Sequence, residues 1–187
     1  MVKFPHEIIL AKEPCINRFP LKYLLPIINS KLINYYVFEQ SPKSSNKSYP
    51  SFNSKLLKNI PIKDSESKSK DKLIEFGESM LEMTKGLKEQ SQKFQRTIQR
   101  KFNLEDLPKK LQDWYVLSYA DLIKELAKKK VKLSLSEEAE WEDYFETESK
   151  KAQDLKAQID ATDKAIDKMV YELYGLSEEE ISIVENS

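Results

Sequence analysis

Cysteine, histidine and glycine are nearly absent from this chain. Cys15 is the single cysteine, so no disulfide can close within the chain, which argues against a disulfide-built secreted scaffold. His6 is the single histidine and sits in a stretch broken by Pro5, Pro14 and Pro20. That excludes a Ser-His-Asp triad and a histidine-rich metal site. There are only 3 glycines and no Gly-x-Gly, and no phosphate-cradling lysine motif occurs, so the sequence shows no nucleotide-binding loop. Pro-Pro never occurs, so Asn-Pro-Pro-Tyr and Asp-Pro-Pro-Tyr are missing as well. No apolar run approaches the roughly 20 residues of a membrane span. Residues 1–10 are interrupted by Pro5, His6 and Glu7 and do not read as a signal peptide, so a cytoplasmic protein without membrane contact is expected. With these motifs missing, an independent active site is not expected.

What is present favours long helices with solvated faces: 40% hydrophobic and 33% charged residues. Over residues 135–174, Trp141, Phe145, Glu148, Ala152, Leu155, Ile159, Thr162, Ile166, Met169 and Leu173 step by three and four. Such spacing keeps one stripe of a helix turned toward a partner. Residues 69–102 supply one, with Leu73, Phe76, Met80, Met83, Leu87, Gln90, Phe94 and Thr97 in step and Ile98 and Phe102 widening the stripe. Gly77 and Gly86 each cost about 1 kcal/mol in a helix interior, which packing must offset. Between the arms, Leu111, Trp114, Tyr115, Leu117 and Tyr119 form an aromatic cluster, continued by Leu122, Ile123 and Leu126 on a short helix that Lys128–Lys130 closes. Ser134 or Ser136 caps the last long helix, and Gly175 ends it. Ser177 with Glu180 makes a capping box for a final short helix. Asp160, Asp163 and Asp167 form an acidic strip that Lys156, Lys164 and Lys168 can neutralise at four-residue spacing.

The fold class read from this pattern is mainly α. A long antiparallel, coiled-coil-like helical hairpin spans residues 71–187, a linker spans 64–70, and a small basic α+β head spans 1–63. The head reading rests on a possible edge strand at Phe4 and Ile8 to Leu10, a helix over residues 21–38 bent by Pro26, and an extended run at Ile60-Pro61-Ile62. Charge separates the parts. Residues 1–62 carry nine Lys or Arg against three Glu, whereas the remainder carries 22 basic against 28 acidic residues. A basic head is a weak pointer to a nucleic-acid partner, and composition alone favours ordinary solvated lysine. Within it, residues 40–54 are rich in Ser, Lys, Pro and Asn, and Lys43 and Lys47 are suited to phosphate oxygens. Tyr49 and Phe52 either stack on a ligand or anchor the loop to the core.

Several segments resemble a known family. Phe19-Pro20-Leu21-Lys22-Tyr23-Leu24-Leu25 running into Asn29-Ser30-Lys31-Leu32-Ile33-Asn34-Tyr35-Tyr36 is similar to the leucine-asparagine-serine helix of TaqI-like C-terminal specificity domains. Tyr49-Pro50-Ser51-Phe52 followed by Leu56 to Ile62, with its Ile60-Pro61-Ile62, resembles the next stretch of that domain, and residues 166–181 resemble the tail of many enzymes carrying it. These are bacterial adenine-specific DNA methyltransferases and fused restriction–modification enzymes. The resemblance implies a target-recognition module that reads double-stranded DNA. A separate domain using S-adenosylmethionine would transfer the methyl group; no cofactor is expected in this chain. It implies phosphate contacts from Lys22, Lys31, Lys43 and Lys47 and base-edge contacts from Ser44, Asn46, Tyr49 and Asn53. A methyltransferase or restriction subunit is the implied partner, and the chain resembles the C-terminal part of such an enzyme, from a truncated or split gene. The other reading is a non-enzymatic coiled-coil adaptor whose seam pairs between chains and mediates subunit association.

Overall fold

The helices α1 (Leu21–Asn29), α2 (Lys31–Gln40), α3 (Ser67–Phe102), α4 (Tyr119–Lys128), α5 (Leu135–Tyr174) and α6 (Glu178–Glu185) are laid out in a computed structural model that describes residues 19–40 and 58–187. No strand occurs among the described residues, so the protein is mainly α. The chain divides into two compact units. One is Met1–Ser79 with Thr162–Ser187, and the other is Met80–Ala161.

The unit Met80–Ala161 is where the seam is filled. Gly86 faces Leu155, Gln90 Nε2 donates to the Glu148 carbonyl at 3.2 Å, and the Phe102 ring lies 5.1 Å from that of Trp141. Rising numbers on α3 meet falling numbers on α5, so the two segments run antiparallel here. Phe94, Ile98, Trp141, Phe145 and Ala152 are buried in one cluster with Leu111, Trp114, Leu122 and Leu126 from the connection. The Phe94 and Trp114 rings stack at 3.6 Å between centroids. Each fully buried large side chain contributes about 1.5–3 kcal/mol.

The connection itself is two 3₁₀ turns, Lys109–Leu111 and Trp114–Val116, followed by α4. Such short turns leave carbonyls without helical partners. A matched pair of clamps satisfies two of them. Ser91 Oγ and Gln95 Nε2 both donate to the Gln112 carbonyl, at 3.3 and 2.7 Å. Ser149 Oγ and Gln153 Nε2 both donate to the Tyr115 carbonyl, at 3.2 and 2.7 Å. Ser134 caps α5 with a reciprocal box: its hydroxyl accepts from the Glu137 N–H, and its own N–H donates to the Glu137 carboxylate.

The other unit departs from the sequence reading in two places. Residues 21–38 were expected as one bent helix, but the chain breaks at Ser30, which takes an extended conformation. Ser30 serves both neighbours. Its N–H and hydroxyl donate to the Ile27 carbonyl at the end of α1, and its Oγ accepts from the Ile33 N–H at the start of α2. A serine that can bond the backbone on both sides offers an alternative to continuing the helix. Pro26 remains inside α1 without breaking it, leaving the Lys22 carbonyl without its usual helical donor.

The α+β character expected of the head is also not found. The described part of the head is two helices and an extended segment, and the strand expected at residues 4–10 lies outside the described residues. The Ile60-Pro61-Ile62 run is extended but joins no sheet, because Pro61 has no N–H to give a ladder. Tyrosine hydroxyls take the place of a neighbouring strand. Tyr36 donates to the Asn59 carbonyl at 3.4 Å, Tyr174 to Pro61 at 2.6 Å and Tyr23 to Lys63 at 2.8 Å. Alternate carbonyls of an extended chain share one side, which lets three tyrosines from α1, α2 and α5 line up along it. Gly175 closes α5 with φ +73°, and Ser177 and Glu180 form the capping box of α6.

Candidate functional site

In the unit Met1–Ser79 with Thr162–Ser187, the N-terminus of α2 gathers a cluster of charged groups. The Lys31 backbone N–H, free at the start of a helix, donates to Asp167 Oδ1 at 2.8 Å. The Lys31 ammonium pairs with Glu185, whose other carboxylate oxygen accepts from the Tyr171 hydroxyl at 2.8 Å. Asp167 is buried, and its pKa is raised, first by burial and then by Asp163, against the Lys31 N–H bond, which lowers it. Glu185 is held below the usual carboxylate range by its bonds from Lys31 and Tyr171. The Glu185 contact also holds Lys31 firmly charged. Tyr171 is pushed well above the ordinary phenol value by burial and by Glu185.

This arrangement corrects the reading of the acidic strip. Lys156 does pair with Asp160 at four-residue spacing. Asp167 instead points inward and caps α2, which the spacing along α5 alone does not reveal.

Of the residues expected at a DNA site, the structure places two. Lys22 pairs with Glu78, and Lys31 pairs with Glu185, so each already has a carboxylate. Lys43, Ser44, Asn46, Lys47, Tyr49 and Asn53 lie outside the described residues.

Two surface concavities lie in the unit Met80–Ala161. One, of about 940 Å³, is lined by Lys109, Lys110, Asp121, Lys124, Glu125 and Lys128 among others. Its charges are largely matched: Glu125 takes Lys128 at 2.6 Å and Lys110 at 3.7 Å, and Asp121 takes Lys124 at 3.1 Å. The other, of about 540 Å³, is lined by Arg96, Gln99, Arg100, Asn103 and Leu104. The sequence carries a signal for it that composition hides: no Asp or Glu occurs between Gln90 and Leu104. Among the described residues, no group of three or more His, Cys, Asp or Glu is placed to hold a metal ion. No described helix is long and apolar enough to cross a membrane.

Residues 66–170 match the family described as a domain of unknown function, DUF8810. The chain belongs to that family. The match covers all of α3, the connection with α4, and most of α5, and leaves out α1, α2 and α6. No curated protein and no solved structure matches the chain.

Proposed function

We propose that the chain is a target-recognition module of a site-specific adenine DNA methyltransferase or fused restriction–modification enzyme, contributing DNA binding and not methyl transfer itself. The observation that carries this reading is a convergence. The three segments that resemble TaqI-like specificity domains are far apart in sequence, yet they meet in one unit. Tyr23 and Tyr36 of the first bond Lys63 and Asn59, which flank the Ile60-Pro61-Ile62 run of the second; Tyr174 of the third bonds Pro61, and Asp167 of the third accepts from Lys31 of the first.

Because Lys22 and Lys31 are already paired, phosphate contact falls mainly to Lys43 and Lys47. Ser44, Asn46, Tyr49 and Asn53 are the base-edge candidates. Methyl transfer belongs to a partner domain or subunit that binds S-adenosylmethionine. Fluorescence anisotropy of labelled duplex DNA over a salt series tests the proposal. Replacing Lys43 and Lys47 together by alanine should lower the slope of log affinity against log salt by about two. An unchanged slope removes that loop from the site.

A second reading is favoured by the reach of the family match, which lies on the helical arms and not on the head. On that reading the chain is a coiled-coil adaptor between subunits. Light scattering separates the two: an extended dimer supports the adaptor, and a monomer supports the recognition module.

A further inference from the structure

Lysine supplies nearly all of the positive charge in this chain, which has only three arginines, Arg18, Arg96 and Arg100. Two of the three stand four residues apart on α3 and line one concavity. Lys93 precedes them at three- and seven-residue spacing, so all three cations share a helix face. Beside them runs a second acid-free stretch. Residues 126–136 hold Lys128, Lys129, Lys130 and Lys132 and no Asp or Glu. The two stretches approach each other at one point, where Lys101 Nζ, about 140° around α3 from Arg96, lies 3.6 Å from the carboxylate of Glu137, which in turn caps α5 through Ser134. Leu104, Val131 and Leu133 pack against the same core cluster.

Within a body whose net charge is negative, these stretches gather positive charge that is neutralised only at Lys128, by Glu125, and at Lys101, by Glu137, among the described residues. Among the described residues, Lys93, Arg96, Arg100, Lys129, Lys130 and Lys132 have no carboxylate partner. Helix ends explain part of the pattern. α3 and α4 both finish here, and cations in a last turn offset the helix dipole. That effect fades within one turn, so it covers Lys101 and Lys129 and leaves Lys93 and Arg96 unexplained.

We propose that this face binds the phosphate backbone of duplex DNA, as a second contact surface outside the head. Arginine forks fit phosphate oxygens two at a time, and the Asn103 amide on the same rim adds a donor. The Arg96 and Arg100 positions are about 6 Å apart along the helix axis, within reach of successive phosphates of one strand. The inference deepens the DNA-recognition reading and assigns no base specificity to the face.

The test compares full-length variants with labelled duplex over a salt series. Arg96→Gln with Arg100→Gln should weaken binding roughly tenfold near 0.1 M salt and lower the salt slope by about two. Both side chains are exposed, so far-UV circular dichroism and melting should not change. Arg96→Lys with Arg100→Lys should restore the slope. An unchanged slope in the glutamine variant overturns the proposal, and the Lys43→Ala, Lys47→Ala variant then shows separately whether the head reading survives. Loss in the arginine variant alone keeps this surface and removes the head loop. A salt-sensitive dimer in sedimentation, with DNA affinity unaffected by the arginine changes, assigns the face to a second copy of the chain and also overturns the proposal.

Discussion

The Lys31 N–H and the Asp167 carboxylate meet at 2.8 Å although 136 positions separate them in sequence. Asp167 thereby caps α2 from another helix, at a buried position. Asp167→Ala leaves that N–H without its acceptor and should cost about 1–3 kcal/mol. Asp167→Asn keeps an acceptor oxygen in place and should cost clearly less. Urea denaturation of the two variants measures the difference, and equal losses would refute the capping role.

The same cluster fixes a pH dependence with two opposite signs. The pKa of Asp167 is raised by burial and by Asp163, against the Lys31 N–H and ammonium. Its contribution to stability is full below the ordinary carboxylate range and is lost as pH rises through the raised value. Glu185 is lowered by Lys31 and Tyr171, with Lys164 adding to the effect. Its contribution is present above the ordinary range and is lost as pH falls through the lowered value. Relative to the wild type, Asp167→Asn should therefore gain as pH rises toward neutrality. Glu185→Gln should show its full deficit at neutral pH, and that deficit should shrink on acidification. Denaturation midpoints measured from acid to neutral pH should separate the two variants in this manner.

The tyrosine hydroxyls along residues 59–63 form another measurable set. Tyr174 both donates to the Pro61 carbonyl and accepts from the Lys63 N–H, the latter at 3.3 Å. Tyr23→Phe and Tyr174→Phe should each cost about 0.5–1.5 kcal/mol. Tyr36→Phe, at the longest of the three distances to a carbonyl, should cost least. Thermal melts of the three single variants check this order.

Two glycines in one helix should respond to alanine with opposite signs. A Cβ at Gly77 falls 2.7 Å from the Lys22 carbonyl oxygen, the group that Pro26 leaves without a helical donor, and 3.2 Å from the proline ring. Gly77→Ala should destabilise despite the better helix propensity of alanine. A Cβ at Gly86 meets only the Leu155 side chain, at 3.9 Å. Gly86→Ala should stabilise by up to about 1 kcal/mol. If Gly77→Ala also stabilised, the close approach at that site would be refuted.

The elements legible in the sequence are those whose signals are local. The bounds of α5, the Gly175 cap and the Ser177–Glu180 box follow from heptad spacing and cap chemistry within a few residues. So does the aromatic cluster around Trp114. Features that depend on what lies opposite were not legible. Asp167 has the same spacing as the solvated Asp160, and only the arrival of Lys31 turns it inward. Ser30 reads as a polar patch inside a helix until its hydroxyl is seen bonding in both directions. Gly77 reads as a cost until Pro26 and the Lys22 carbonyl are placed beside it. The candidate site divides in the same way. Lys22 and Lys31 look free in sequence and are paired in space, whereas the acid-free run around Arg96 and Arg100 is visible in the sequence once charge is read locally.

The two units differ in when they can form during synthesis. Met80–Ala161 is continuous in sequence, so its contacts close short loops and can form as soon as that stretch has emerged from the ribosome. The other unit is tied by contacts such as Lys31 with Asp167 and Pro61 with Tyr174, which span 136 and 113 positions. Its early helices can meet residues 59–79 first, as Tyr23 meets Lys63 and Pro26 meets Gly77, but stay incompletely covered until residues 162–187 arrive. Residues 162–187 therefore set when that unit can close.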